Sequence, residues 1–237
     1  MGFFDVPPPE PEDRDEQSEV SPDGGRWLLG TLVIDEFVGW SDQAAVAVRD
    51  ICMLPDSFDV EVTAWLRRPA RGRRPARHVN LGGGRWECRD DDGSLRDEFV
   101  RFGVQFPDGA RVTNVDLRHR WPDATEPAHG LTSSGGSTSP FHAHRRFTVW
   151  PVPAAGDIVF VCAWPAYGIA ESRLTIGGDD LRSAAARSRP VWPDEPLPGR
   201  GSNRPWSRPV VDHRRLIARI SGVASPDAAS GGPDAQR

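Results

Sequence analysis

His142 and His144 have the spacing in this sequence best suited to holding a metal ion, because alternate residues of a strand project both imidazoles from one face. No acid follows them before Asp157, and Arg145 and Arg146 bring charges that oppose a bound cation. The pair therefore reads as a polar strand end, and no metal is expected. Asp90-Asp91-Asp92-Gly93 has the look of a calcium loop, but with Gly93 as the loop glycine the first ligand position falls on Cys88 and the last on Phe99. Neither is an oxygen ligand, so a solvated acidic loop is expected there.

Other chemistries are excluded by composition. The 29 basic residues are all arginine. Without lysine there is no phosphate-loop lysine, no Schiff base and no Ser-Lys dyad. No G-x-S-x-G motif is present, and Cys52, Cys88 and Cys162 stand far apart with no metal-ligand or catalytic signature. Gly82-Gly83-Gly84-Arg85 lacks the strand-turn-helix setting of a phosphate cradle. Catalytic residues and cofactors are accordingly not expected, and an enzyme is the less favoured class.

Binding is better represented. Arg71, Arg73 and Arg74 lie in a basic cluster from Arg67 to Arg77 that could meet phosphate, with Trp65 and Trp86 near enough in sequence to stack on bases. A net charge of -5 and the acidic run that follows count against nucleic acid. Trp65 falls on the charged side of its strand and is expected at the surface. Phe3 and Phe4 precede an acidic, proline-rich tract, where two adjacent aromatics either dock on a partner or clip onto the chain's own surface.

These residues are carried by short segments of period two. Leu29–Val33, Ala44–Leu54 and Phe58–Leu66 read as strands, and Pro55-Asp56-Ser57 marks a hairpin between the last two. Phe99–Phe106 and Arg111–Leu117 form a second hairpin about Pro107-Asp108-Gly109. Residues 67–97 and the Gly/Ser-rich run 130–140 read as loops. Phe147–Ile176 is the most core-like stretch, three strands that suggest a meander, with Ile158–Trp164 apolar on both faces. After it, Asp179 or Asp180 is placed to cap a helix bearing Leu181, Ala184 and Ala185 on one side.

The pattern predicts a mainly β protein, an antiparallel β-sandwich or jelly-roll-like body of about eight strands with one short C-terminal helix. The body spans 26–193, with a disordered acidic, Pro-rich arm at 1–25. A Pro/Arg-rich linker and tail at 194–237 includes a short helix over 211–222. There is no signal-peptide pattern and no apolar run long enough to span a membrane, which with three unpaired-looking cysteines suggests the cytoplasm.

At Phe147-Thr148-Val149-Trp150-Pro151-Val152-Pro153, continuing through Phe160–Pro165 and Gly168-Ile169, and at Phe102-Gly103-Val104 with Asp108-Gly109, the chain resembles a family of uncharacterised actinobacterial proteins with no assigned activity. The resemblance implies no catalytic residues. The expected function is a non-catalytic, cytoplasmic protein-interaction or scaffold module, its partner another protein. The alternatives are a carbohydrate or small-ligand binder, enzymatic or not, with a Trp-lined pocket, and after that nucleic-acid binding through Arg67–Arg77.

Overall fold

The structure is a computed structural model and describes residues 2–4, 26–67, 79–82, 88–116 and 129–194. The chain divides into two units, Met1–Pro198 and Gly199–Arg237. The second lies outside the described residues, as do the expected helix over 211–222, residues 5–25 of the arm, and Arg71, Arg73 and Arg74.

In chain order the strands are β1 (Trp27–Leu28), β2 (Gly30–Trp40), β3 (Ala44–Met53), β4 (Phe58–Leu66), β5 (Arg101–Gln105) and β6 (Arg111–Thr113). They continue with β7 (Gly130–Thr138), β8 (His142–Trp150), β9 (Ile158–Trp164) and β10 (Ile169–Ile176), then the helix α1 (Gly178–Ala185) and β11 (Arg189–Pro190). A five-stranded sheet runs β2-β3-β4-β8-β7 and a four-stranded sheet β10-β9-β5-β6, all neighbours antiparallel. A two-stranded ladder pairs β1 with β11. The protein is mainly β and sandwich-like, as its alternating segments predict.

The core lies between the two larger sheets. Val60, Val62, Phe147 and Val149 from one meet Phe102, Val104, Phe160 and Trp164 from the other, and all are buried. Phe102 lies between Phe147 and Phe160, its ring stacked at 5.5 Å from the first and 5.7 Å from the second. A polar side chain ties the edge of this core together. Asn114 is buried, accepts the Phe102 N–H at 2.8 Å and donates to the carbonyls of Leu81 and Val100. It thereby joins the segment at residues 79–82 to β5.

The expected meander over Phe147–Ile176 is corrected. β8 pairs with β4 in the five-stranded sheet, whereas β9 and β10 pair with each other, and β9 with β5, in the four-stranded one. The connection at residues 151–157, entered through a cis Trp150–Pro151 peptide, crosses between sheets. Each half of the stretch extends one of the two earlier hairpins.

Three further elements differ from expectation. β2 continues to Trp40, past Val33, because register shifts at Val33/Glu36 and Phe37/Gly39 absorb the residues that break its alternation. The Gly/Ser-rich run forms β7, an edge strand on β8. Its ladder with β8 satisfies the backbone groups that face inward, and a Cβ at Gly136 would stand 2.3 Å from the His144 carbonyl oxygen, so only glycine allows the approach. The α1 N-cap is Gly177, with no side-chain cap, while Asp179 and Asp180 occupy the first turn and complement the helix dipole. The Gly178 N–H instead finds Asp157 Oδ1 at 3.0 Å.

The stretch expected as one long loop is partly core. Val79, Leu81 and Cys88 are buried, and Asp90 pairs with Arg96 at 3.0 Å. Asp92 is bonded locally by the N–H and hydroxyl of Ser94, which hold its carboxyl below the usual range. Among the described residues no helix is long and apolar enough to cross a membrane.

Candidate functional site

The outer face of the five-stranded sheet gathers the side chains most capable of recognition. The cause is a register shift in β3 between Val48 and Asp50. Before it, Val46 and Val48 face the core; after it, Ile51 and Met53 do, so Asp50 and Cys52 turn outward. Cys52, which sequence places in an apolar run, is therefore only half-buried.

Pairing registers arrange this face in rows. Trp40 lies opposite Ala45, Ala45 opposite Trp65, and Trp65 opposite His142. In the next row Phe37 pairs with Ala47, Ala47 with Thr63, and Thr63 with His144. The Trp65 and His142 ring centroids are 5.9 Å apart, and those of His142 and His144 are 6.2 Å. Val33, Phe37 and Trp40 are 68, 59 and 65% exposed, so one edge strand carries three large apolar side chains in solvent.

Beyond this aromatic half the face becomes charged. Arg146 donates to Glu61 Oε2 at 2.9 Å and stands 3.9 Å from Asp50. The Thr148 hydroxyl donates to Asp59 Oδ1 at 2.6 Å. Burial pushes the Asp59 carboxyl above its ordinary range, with Thr148 and Arg146 partly offsetting it. Burial likewise raises the Cys52 thiol, helped by Asp50, and raises Cys162 further in the core. Thiols shifted in that direction are poor nucleophiles at neutral pH.

The sequence-predicted residues separate. Trp65, His142 and His144 come together on this face, with Trp65 half-buried rather than free. The two histidines have no third ligand beside them, and among the described residues no three His, Cys, Asp or Glu side chains are grouped to hold a metal ion. Phe37 and Trp40 are missed by the sequence reading because it ends the strand at Val33; the apolar residues after Asp35-Glu36 were the available signal.

Phe3 and Phe4 lie elsewhere. Both are buried on the outer face of the four-stranded sheet, in a cluster with Cys88, Phe99, Val115, Val161 and Ala163. Of the two roles open to them, the clip onto the chain's own surface is the one observed. Next to them is a cavity of about 420 Å³ lined by Phe4, Arg101, Ala163, Pro165, Ile169 and Glu171. It holds neither tryptophan nor histidine, so it is not the Trp-lined pocket that a saccharide binder would use.

No protein-family model matches the chain, and no curated protein does. Among solved structures it is similar to the conserved domain protein from Bacillus anthracis, at 12% identity and a TM-score of 0.33. The match covers 60% of this chain, and the chain spans about half of the other, 47%.

Proposed function

We propose that this chain is a non-catalytic, cytoplasmic interaction module that binds another polypeptide on the outer face of its five-stranded sheet. The observation that carries this reading is the row of Val33, Phe37 and Trp40, each more than half exposed, continued by Trp65 and His142. Apolar residues scattered singly on a surface need no explanation, whereas a contiguous aromatic patch marks a contact surface. The cavity beside Phe4 lies on the other sheet and not on this face. Asp50, Asp59 and Glu61 around one arginine make its other half acidic, which suits a partner with basic side chains beside apolar ones. Three free cysteines, two of them buried, support a reducing compartment.

Affinity capture from the native host with the full chain and with Phe37→Ser/Trp40→Ser tests the proposal. A polypeptide retained by the first and lost from the second supports it. Equal retention by both, or none by either, ends it.

Stacking of a saccharide is the second reading, favoured by one detail: the small Ala45 lies between Trp40 and Trp65 on the same face, leaving room between two rings. Tryptophan fluorescence titrated with oligosaccharides separates the two, since a polypeptide site gives no saturable change.

A further inference from the structure

The outer face of the four-stranded sheet carries a row of opposite charges with a gap in its middle. Arg101 of β5 lies opposite Ala163 of β9, and the register shift between Ile169 and Ser172 sets Ala170 and Glu171 of β10 against the other side of Ala163. Arg101 and Glu171 thus stand two inter-strand steps apart, about 10 Å between backbones, with the small Ala163 between them. The cavity of about 420 Å³ beside Phe4 opens there, its apolar lining supplied by Phe4, Ala163, Pro165 and Ile169. Its volume falls within the range of about 300–1,000 Å³ found for small-molecule sites.

Arg101 and Glu171 each bond elsewhere rather than to one another. Arg101 is largely buried, and both of its hydrogen bonds leave from Nη2, at 3.2 Å to the Leu95 carbonyl and 3.0 Å to Asp97 Oδ1. Its Nε is buried without an acceptor among the described residues, which leaves the Nε–Nη1 edge uncommitted. Unmet donors on a buried cation are costly, and a carboxylate is the group whose two oxygens match the guanidinium fork. Glu171 accepts the Phe3 N–H on Oε2 and Arg173 on Oε1, each at 2.9 Å. A carboxylate has lone pairs beyond those two, and an ammonium group suits them. We propose that the cavity binds a free amino acid with an apolar side chain, its carboxylate on Arg101, its ammonium on Glu171 and its side chain against Phe4 and Ile169. This site is on the opposite sheet from the aromatic face and stands apart from the function proposed for that face.

Titration of the full chain with L-leucine and L-phenylalanine, followed by nuclear magnetic resonance of the Ala163 and Ile169 methyl groups, tests the proposal. Saturable shifts at both positions are expected with at least one of the two. The amide of that amino acid, which lacks the carboxylate, and the corresponding acid without the amino group should each bind at least about tenfold more weakly. Arg101→Gln should bring the amino acid and its amide to equal affinity, and Glu171→Gln should do so for the amino acid and the deaminated acid. Phe37→Ser/Trp40→Ser should bind as the unmodified chain does. No saturable shift with either amino acid overturns the proposal, as does equal affinity of all three ligand forms for the unmodified chain, and neither result requires a variant to fold. Shifts that vanish with the Phe37 and Trp40 changes also overturn it, because they place the binding on the other face.

Discussion

Asn114 accepts the backbone N–H of Phe102 at 2.8 Å from inside the core, and its amide nitrogen reaches the carbonyls of Leu81 and Val100 at the same distance. One side chain thus satisfies three buried backbone groups where no ladder can. Asn114→Ala removes all three bonds at once and leaves those groups without water. It is expected to lower unfolding free energy by about 2–4 kcal/mol, read as a lower urea midpoint at unchanged m-value.

Phe102 stacks on Phe147 across the two sheets and on Phe160 within its own. Phe102→Ala is expected to cost about 3–5 kcal/mol. A double-mutant cycle with Phe147→Ala should return a favourable coupling of about 0.5–1.5 kcal/mol. Strict additivity would show that the stacking contributes nothing beyond buried area.

Asp59 carries a pH dependence of uncommon sign. Burial raises its carboxyl, so the unfolded chain ionises first as pH rises. Its contribution to stability is full below the ordinary aspartate value of about 3.9 and is lost as pH climbs through the higher folded value. Asp59→Asn, which keeps an acceptor for Thr148, should raise the melting temperature at pH 7 and leave it unchanged at pH 3.

Glu171 behaves in the opposite way. The Phe3 N–H, then Arg173, hold its carboxyl below the usual range. The contribution is present above the ordinary glutamate value of about 4.3 and is lost as pH falls through the lower folded value. A melting-temperature difference between wild type and Glu171→Gln is expected at pH 6 and should close at strongly acid pH. The group is largely exposed, so the difference should also shrink in high salt.

Phe37 and Trp40 are exposed on an edge strand and belong to neither buried cluster. Phe37→Ser and Trp40→Ser should shift stability by no more than about 0.5 kcal/mol. A larger loss in thermal melts would mean that these rings hold the strand rather than a partner.

Much of the body is legible from residue order. The alternation Phe58, Val60, Val62, Ala64 predicts the buried face of β4, and Pro107-Asp108-Gly109 predicts the β5–β6 turn, because side-chain period and turn chemistry are local properties. Alternation does not say which sheet a buried face belongs to, so Phe147–Ile176 reads as one unit although it is shared between two. A glycine-rich run carries no pattern at all, and β7 is a strand only because β8 lies beside it.

The sequence by itself determined the mainly β class, the two hairpins, the short helix and the absence of lysine-dependent chemistry, all of which rest on composition or on neighbours a few residues apart. Only the tertiary structure decided that Phe3 fills the gap above Gly103 and that Trp40, Trp65 and His142 share a face. The first contact spans a hundred residues, and the second depends on bulges that change which side of a strand each residue faces. Both are set by long-range packing and register, which residue types specify jointly across the chain and not at any single position.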